Sequence, residues 1–82
     1  MSEVPYEDDY QPPLYAEICR FYFTQIVDGA IQAGEFLPSA DRVAEKHGTS
    51  IATARRGLRL LAKIGFAQAV PGNPYVALHP KP

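Results

Sequence analysis

A chain of 82 residues makes one small domain that buries about 60–65% of its unfolded surface, which excludes a second lobe. Hydrophobic residues at 46% and charged residues at 21% exclude a wholly disordered chain, and the single Cys19 excludes an intrachain disulfide. A net charge of −1 argues, taken alone, against a nucleic-acid partner.

The distribution of charge says more than its sum. Glu3, Glu7, Asp8, Asp9, Glu17, Asp28 and Glu35 face only Arg20 in the first part of the chain. Beyond Glu35, the cations Arg42, Lys46, Arg55, Arg56, Arg59, Lys63 and Lys81 face only Asp41 and Glu45. The chain is therefore electrically two-ended. No signal peptide and no apolar run of about 18 residues is visible, so a cytoplasmic setting without a membrane is expected.

Residues 1–12 combine adjacent prolines with a cluster of acids and no apolar period, and read as a flexible or extended arm. From Leu14 the pattern becomes helical. Leu14, Ile18, Tyr22 and Ile26 recur every four residues with Tyr15 and Cys19 beside them, which predicts a helix ending near Asp28. Gly29 is its stop, and AIQAGEFLP is a connector that needs Gly34 to turn. Tyr15, Ile18, Cys19, Phe21, Tyr22, Phe23, Ile26 and Val27 leave this helix apolar almost all round. Two coverings are open: the arm folding back through Val4, Tyr6 and Tyr10, or a homodimer in which Phe21, Phe23 and Val27 form a self-association surface.

Ser39 is placed to cap a short second helix in which Ala40, Val43 and Ala44 share an apolar face. Arg42 stands where a capping box would have Glu, so the cap is one-sided. Gly48 can close that helix in the left-handed conformation and Ser50 can cap the next, leaving only a few residues between them. This is the helix-turn-helix layout. The third helix is expected from Ile51 to about Ile64, with Ala54, Leu58, Leu61 and Ile64 inward and Ala52, Arg55, Arg56, Arg59 and Lys63 outward. FAQAV and YVAL flank PGNP and predict a terminal hairpin. Three helices and a hairpin give a mostly α fold with a small β element, a winged helix over residues 13–78, followed by a tail at 79–82.

A helix entered through a tight turn, with four cations outward and no acid among them, has the form of a recognition helix for double-stranded DNA. A face kept only for solubility would mix signs. Arg55 can offer its planar fork to a guanine edge, while Arg56, Arg59 and Lys63 suit phosphates by position, and Arg42 in helix two is a further candidate for DNA contact. The amides near Ser39 and Ser50 can each receive a phosphate. His47 and His79 lack the spacing of a metal site, Asp8 and Asp9 lack a rigid frame for catalysis, and Cys19 reads as an inert small hydrophobe. No cofactor and no enzymatic role is expected. Gly57 inside the third helix costs up to about 1 kcal/mol relative to alanine, and close packing of another helix is the use it can have there.

The stretch LYAEICRFYFTQIVDGAIQAGEFLPSADRVAEKHGTSIATARRGLRLLAKIGF resembles the DNA-binding domain of the GntR family of bacterial transcription regulators. The likeness runs from about Pro13 to Val76 and rests on Leu37-Pro38-Ser39, Ala44, Gly48, Ser50, Thr53, Arg55, Leu58, Leu61 and Gly65 in ungapped order. It implies a dimeric operator-binding winged helix, a repressor or an accessory transcription factor, with Thr53 and Arg55 at DNA-contact positions and Gly72 at the wing glycine, beside which Asn73 is a further candidate for DNA contact. Three departures stand out. Asp41 replaces a usual arginine in helix two, Ile51 replaces another after the capping serine, and PGNPYV carries no cation. These imply fewer phosphate contacts and a shallower salt dependence. The family ordinarily continues into an effector domain, and no small-molecule effector is expected for this chain. Two rival roles remain open, a protein-interaction module and an architectural or recombination accessory protein.

Overall fold

The computed structural model describes residues 12–80. Nearly all of the predicted acidic arm, and Lys81 of the tail, lie outside the described residues. Within them the order is α1 (Leu14–Val27), α2 (Ala40–His47), α3 (Ile51–Lys63), β1 (Ala67–Val70) and β2 (Asn73–Ala77), the expected winged helix.

Helix α1 starts behind Pro13, whose carbonyl accepts from the amides of Ala16 and Glu17, and it has no side-chain cap. It buries Ile18, Cys19, Tyr22 and Ile26, while Leu14, at its very first position, is exposed despite belonging to the stripe. Gly29 ends it at φ 86°, a conformation that side chains other than glycine rarely adopt.

Helix α2 is capped by Ser39, whose hydroxyl accepts from the Arg42 amide at a long 3.4 Å. Gly48 closes it in the left-handed region, and the Thr49 amide returns to the Ala44 carbonyl at 2.9 Å. Ser50 then caps α3 more tightly, accepting from the Thr53 amide at 3.1 Å and donating to the Thr53 hydroxyl at 3.0 Å. Ala54, Gly57, Leu58 and Leu61 are buried. Ile64, expected inside, is the C-cap residue and stands exposed because the helix has already unwound there.

Gly57 finds its reason where α3 crosses α1. A Cβ at this position would lie 2.8 Å from Ile18 Cγ2 and 2.9 Å from the Tyr15 carbonyl oxygen. Only a residue without a side chain lets the two helices approach this far.

Strands β1 and β2 pair antiparallel, with Ala67 opposite Ala77, Gln68 opposite Val76 and Val70 opposite Asn73. The connector after α1 supplies a third line to the sheet, which the sequence pattern did not show. Phe36 bridges to Val76, Leu37 donates to the Tyr75 carbonyl, and Ala77 donates to the Glu35 carbonyl. This covers the free edge of β2 and carries Leu37 into the core with Ile18, Val43, Leu58 and Leu61, the largest fully buried side chains.

The domain itself accounts for part of the aromatic side of α1: Phe21 and Phe23, two of the three residues expected to form a self-association surface, are each half-buried within it. The Phe21 ring meets His47 edge-on at 5.1 Å with Lys46 Nζ 5.5 Å from its centroid, and Phe23 meets Phe66 at 4.7 Å. Their coverage comes from the end of α2 and from the turn after α3. Val27 alone of the three is exposed, at 48%. His47 and His79 both serve as ring partners, the latter for Phe66.

Candidate nucleic-acid interface

The start of α2, the outer face of α3 and the wing converge on one concavity of about 500 Å³, lined by Ser39, Ala40, Asp41, Arg55, Leu58, Arg59, Gly72 and Tyr75. Each wall has a local cause. Ser39 is held by its capping role, and Arg55 and Arg59 are one helical turn apart on a helix whose inward face is fixed by Ala54, Leu58 and Leu61. Gly72 turns the hairpin at φ 71°, and Tyr75 follows in β2 with its side chain partly packed on the core.

The structure thus brings together four of the residues named for DNA contact: Ser39, Arg55, Arg59 and Gly72. Others go elsewhere. Arg42 lines a separate groove with Tyr22, Pro38, Glu45 and Lys46, about 100° around α2 from Asp41. Arg56 lies over the Tyr15 ring with its guanidinium carbon 4.0 Å from the centroid. Lys63 shares that flank with Tyr15, Arg56, Arg59 and Leu60, so Arg59 borders both basic surfaces. Ser50 and Thr53 spend much of their hydrogen bonding on each other at the entrance of α3. The Asn73 side chain lies outside the described part of the structure.

Sequence reasoning missed Tyr75 and did not foresee that Asp41, rather than Arg42, would look into the concavity. The two neighbours differ only in which side of α2 meets the core, and Val43 and Ala44 set that side. Ile51 is exposed at the tip of α3, an apolar group at the leading end of the helix. Among the described residues, none of the α3 cations makes a side-chain hydrogen bond, which leaves their donors free for an outside acceptor.

No group of three or more metal-ligating side chains occurs among the described residues, and no described helix is long and apolar enough to cross a membrane. Burial pushes the Cys19 thiol and the Tyr22 phenol upward from their ordinary pKa values. Tyr22 Oη and His47 Nε2 are buried without a hydrogen-bond partner among the described residues.

A tight helix-turn-helix whose second helix presents free arginines beside a hairpin wing defines the winged-helix class of DNA-binding domains. Residues 15–76 match the family described as bacterial regulatory proteins, gntR family, and the chain belongs to that family. It is 38% identical over 66 residues to the HTH-type transcriptional regulator TreR of Bacillus subtilis (strain 168), covering 80% of this chain and 26% of TreR. The chain thus corresponds to about a quarter of that relative. Its fold superposes on a GntR family transcriptional regulator from Listeria monocytogenes with a TM-score of 0.77 at 26% identity, over 83% of this chain and 60% of that one. It also matches the crystal structure of AraR(DBD) in complex with operator ORX1, with a TM-score of 0.77 at 21% identity over 94% and 92% of the two chains. These relatives are regulators of transcription rather than enzymes.

Proposed function

We propose that this domain binds operator DNA in a sequence-specific manner as a homodimer and represses transcription by occupying its site in the bacterial cytoplasm. The observation that carries the reading is the convergence of Arg55 and Arg59 with the α2 start and the wing around one concavity. In this geometry α3 enters the major groove. Arg55 and Thr53 read base edges, Arg59, Arg56 and Lys63 hold phosphates along the flank, and the capped amides near Ser39 and Ser50 receive further phosphates. Gly72 and Asn73 bring the wing backbone toward the adjacent minor groove. The AraR domain seen on its operator has the same fold, which supports this mode. Arg42, turned to the other side of α2, contributes less than its charge suggests.

The two copies meet through α1, with Val27 at the contact. A fluorescence anisotropy titration on duplex DNA across ionic strength tests the reading. Binding that weakens measurably with salt, along a slope that flattens in Arg55→Ala and Arg59→Ala as affinity falls, is the expected result. An affinity indifferent to salt and to both arginines would transfer the domain to the protein-interaction role.

A further inference from the structure

Asp41 is the one acid among the eight residues around the concavity, and it faces Arg55, Arg59, Gly72 and Tyr75 across it. It is exposed, in the first turn of α2. A first-turn carboxylate favours the helix dipole wherever it points, so that role does not account for its facing the basic wall. Nor does an internal ion pair, since among the described residues neither Arg55 nor Arg59 is held by a carboxylate.

On DNA, a carboxylate at this place meets either phosphates, which repel it, or the major-groove edges of bases. Guanine and thymine present acceptors there and repel it as well. Adenine offers its N6 amino group, but with the N7 acceptor alongside. Cytosine offers the N4 amino group with no acceptor on that edge. Resting on the DNA-binding reading above, we infer that Asp41 is a specificity-determining residue that accepts a hydrogen bond from a cytosine N4 amino group at one position of each half-site. The two arginines across the concavity supply the attraction, and Asp41 supplies the discrimination against guanine and thymine at that position.

Selection of binding sites from a randomised duplex pool, run in parallel with the unaltered protein, Asp41→Asn and Asp41→Ala, tests this. The unaltered protein should converge on sites with one fixed cytosine per half-site, and replacing that cytosine should weaken binding roughly 5- to 150-fold. The same position should become degenerate for Asp41→Ala and move toward adenine for Asp41→Asn, whose amide pairs with N6 and N7. A consensus that stays the same in all three proteins overturns the inference and leaves Asp41 as a repulsive charge only, even if both variants bind more tightly. A pool that fails to converge for the unaltered protein overturns the DNA-binding reading and this inference together.

Discussion

Gly57 of α3 sits so close to Ile18 of α1 that a Cβ added to it would lie 2.8 Å from Ile18 Cγ2. The Tyr15 carbonyl stands at 2.9 Å from the same point, so moving one side chain does not relieve the contact. This crossing fixes the tilt of α3, and with it the direction in which Arg55 and Arg59 point.

Gly57→Ala should therefore destabilise the domain by about 1–3 kcal/mol through overpacking, less up to about 1 kcal/mol gained in helix propensity. The midpoint of urea unfolding reads the net loss. An unchanged or higher midpoint would show that the helices separate freely and that the close approach has no energetic weight.

Arg55 and Arg56 are sequence neighbours with different surroundings, one in the concavity and one over Tyr15. Arg55→Ala should weaken DNA binding at least fivefold with little effect on unfolding. Arg56→Ala should lose about 0.5–1 kcal/mol of stability with the cation–π contact, and its DNA effect should be limited to one phosphate's share of the salt slope. Equal losses of affinity and no loss of stability in either variant would contradict this division.

Stability should fall in alkali. The buried Cys19 and Tyr22 keep their protons in the folded state above their ordinary values of 9.0 and 10.0, so beyond those values the unfolded chain binds fewer protons than the folded one. Their contribution is then fully present below about pH 9 and is lost progressively as pH rises through the raised folded values. Unfolding followed at neutral pH and above about pH 10 measures the decline, and Tyr22→Phe should reduce it. Because Tyr22 Oη has no partner among the described residues, that substitution should be neutral or stabilising by up to about 1 kcal/mol at neutral pH. A large loss in Tyr22→Phe would reveal that the hydroxyl is held.

Val27→Asp tests the association face without disturbing the core, since Val27 is exposed whereas Phe21 and Phe23 are packed on neighbours in the same domain. Sedimentation of the unaltered domain at high micromolar concentration should show dimer, and the variant should sediment as monomer with unchanged unfolding. A variant that still dimerises would move the contact away from α1.

The helix boundaries were legible in the sequence because caps are local. Ser39, Gly48, Ser50 and Gly29 act on amides and carbonyls within a few residues, and the structure places each in the expected conformation. The periods of α1 and α3 likewise marked Ile18, Tyr22, Ile26, Ala54, Leu58 and Leu61 as the inner faces. What the tertiary structure alone decided lies in contacts between segments far apart in the chain. The need for Gly57 depends on where α1 crosses α3. The third line of the sheet depends on Glu35, Phe36 and Leu37 meeting β2. The covering of Phe21 and Phe23 depends on His47 and Phe66 arriving from other elements. The choice of Asp41 over Arg42 for the concavity has the same origin, because neighbouring helix positions differ by about 100° and only the docking of α2 selects which of them faces α3 and the wing.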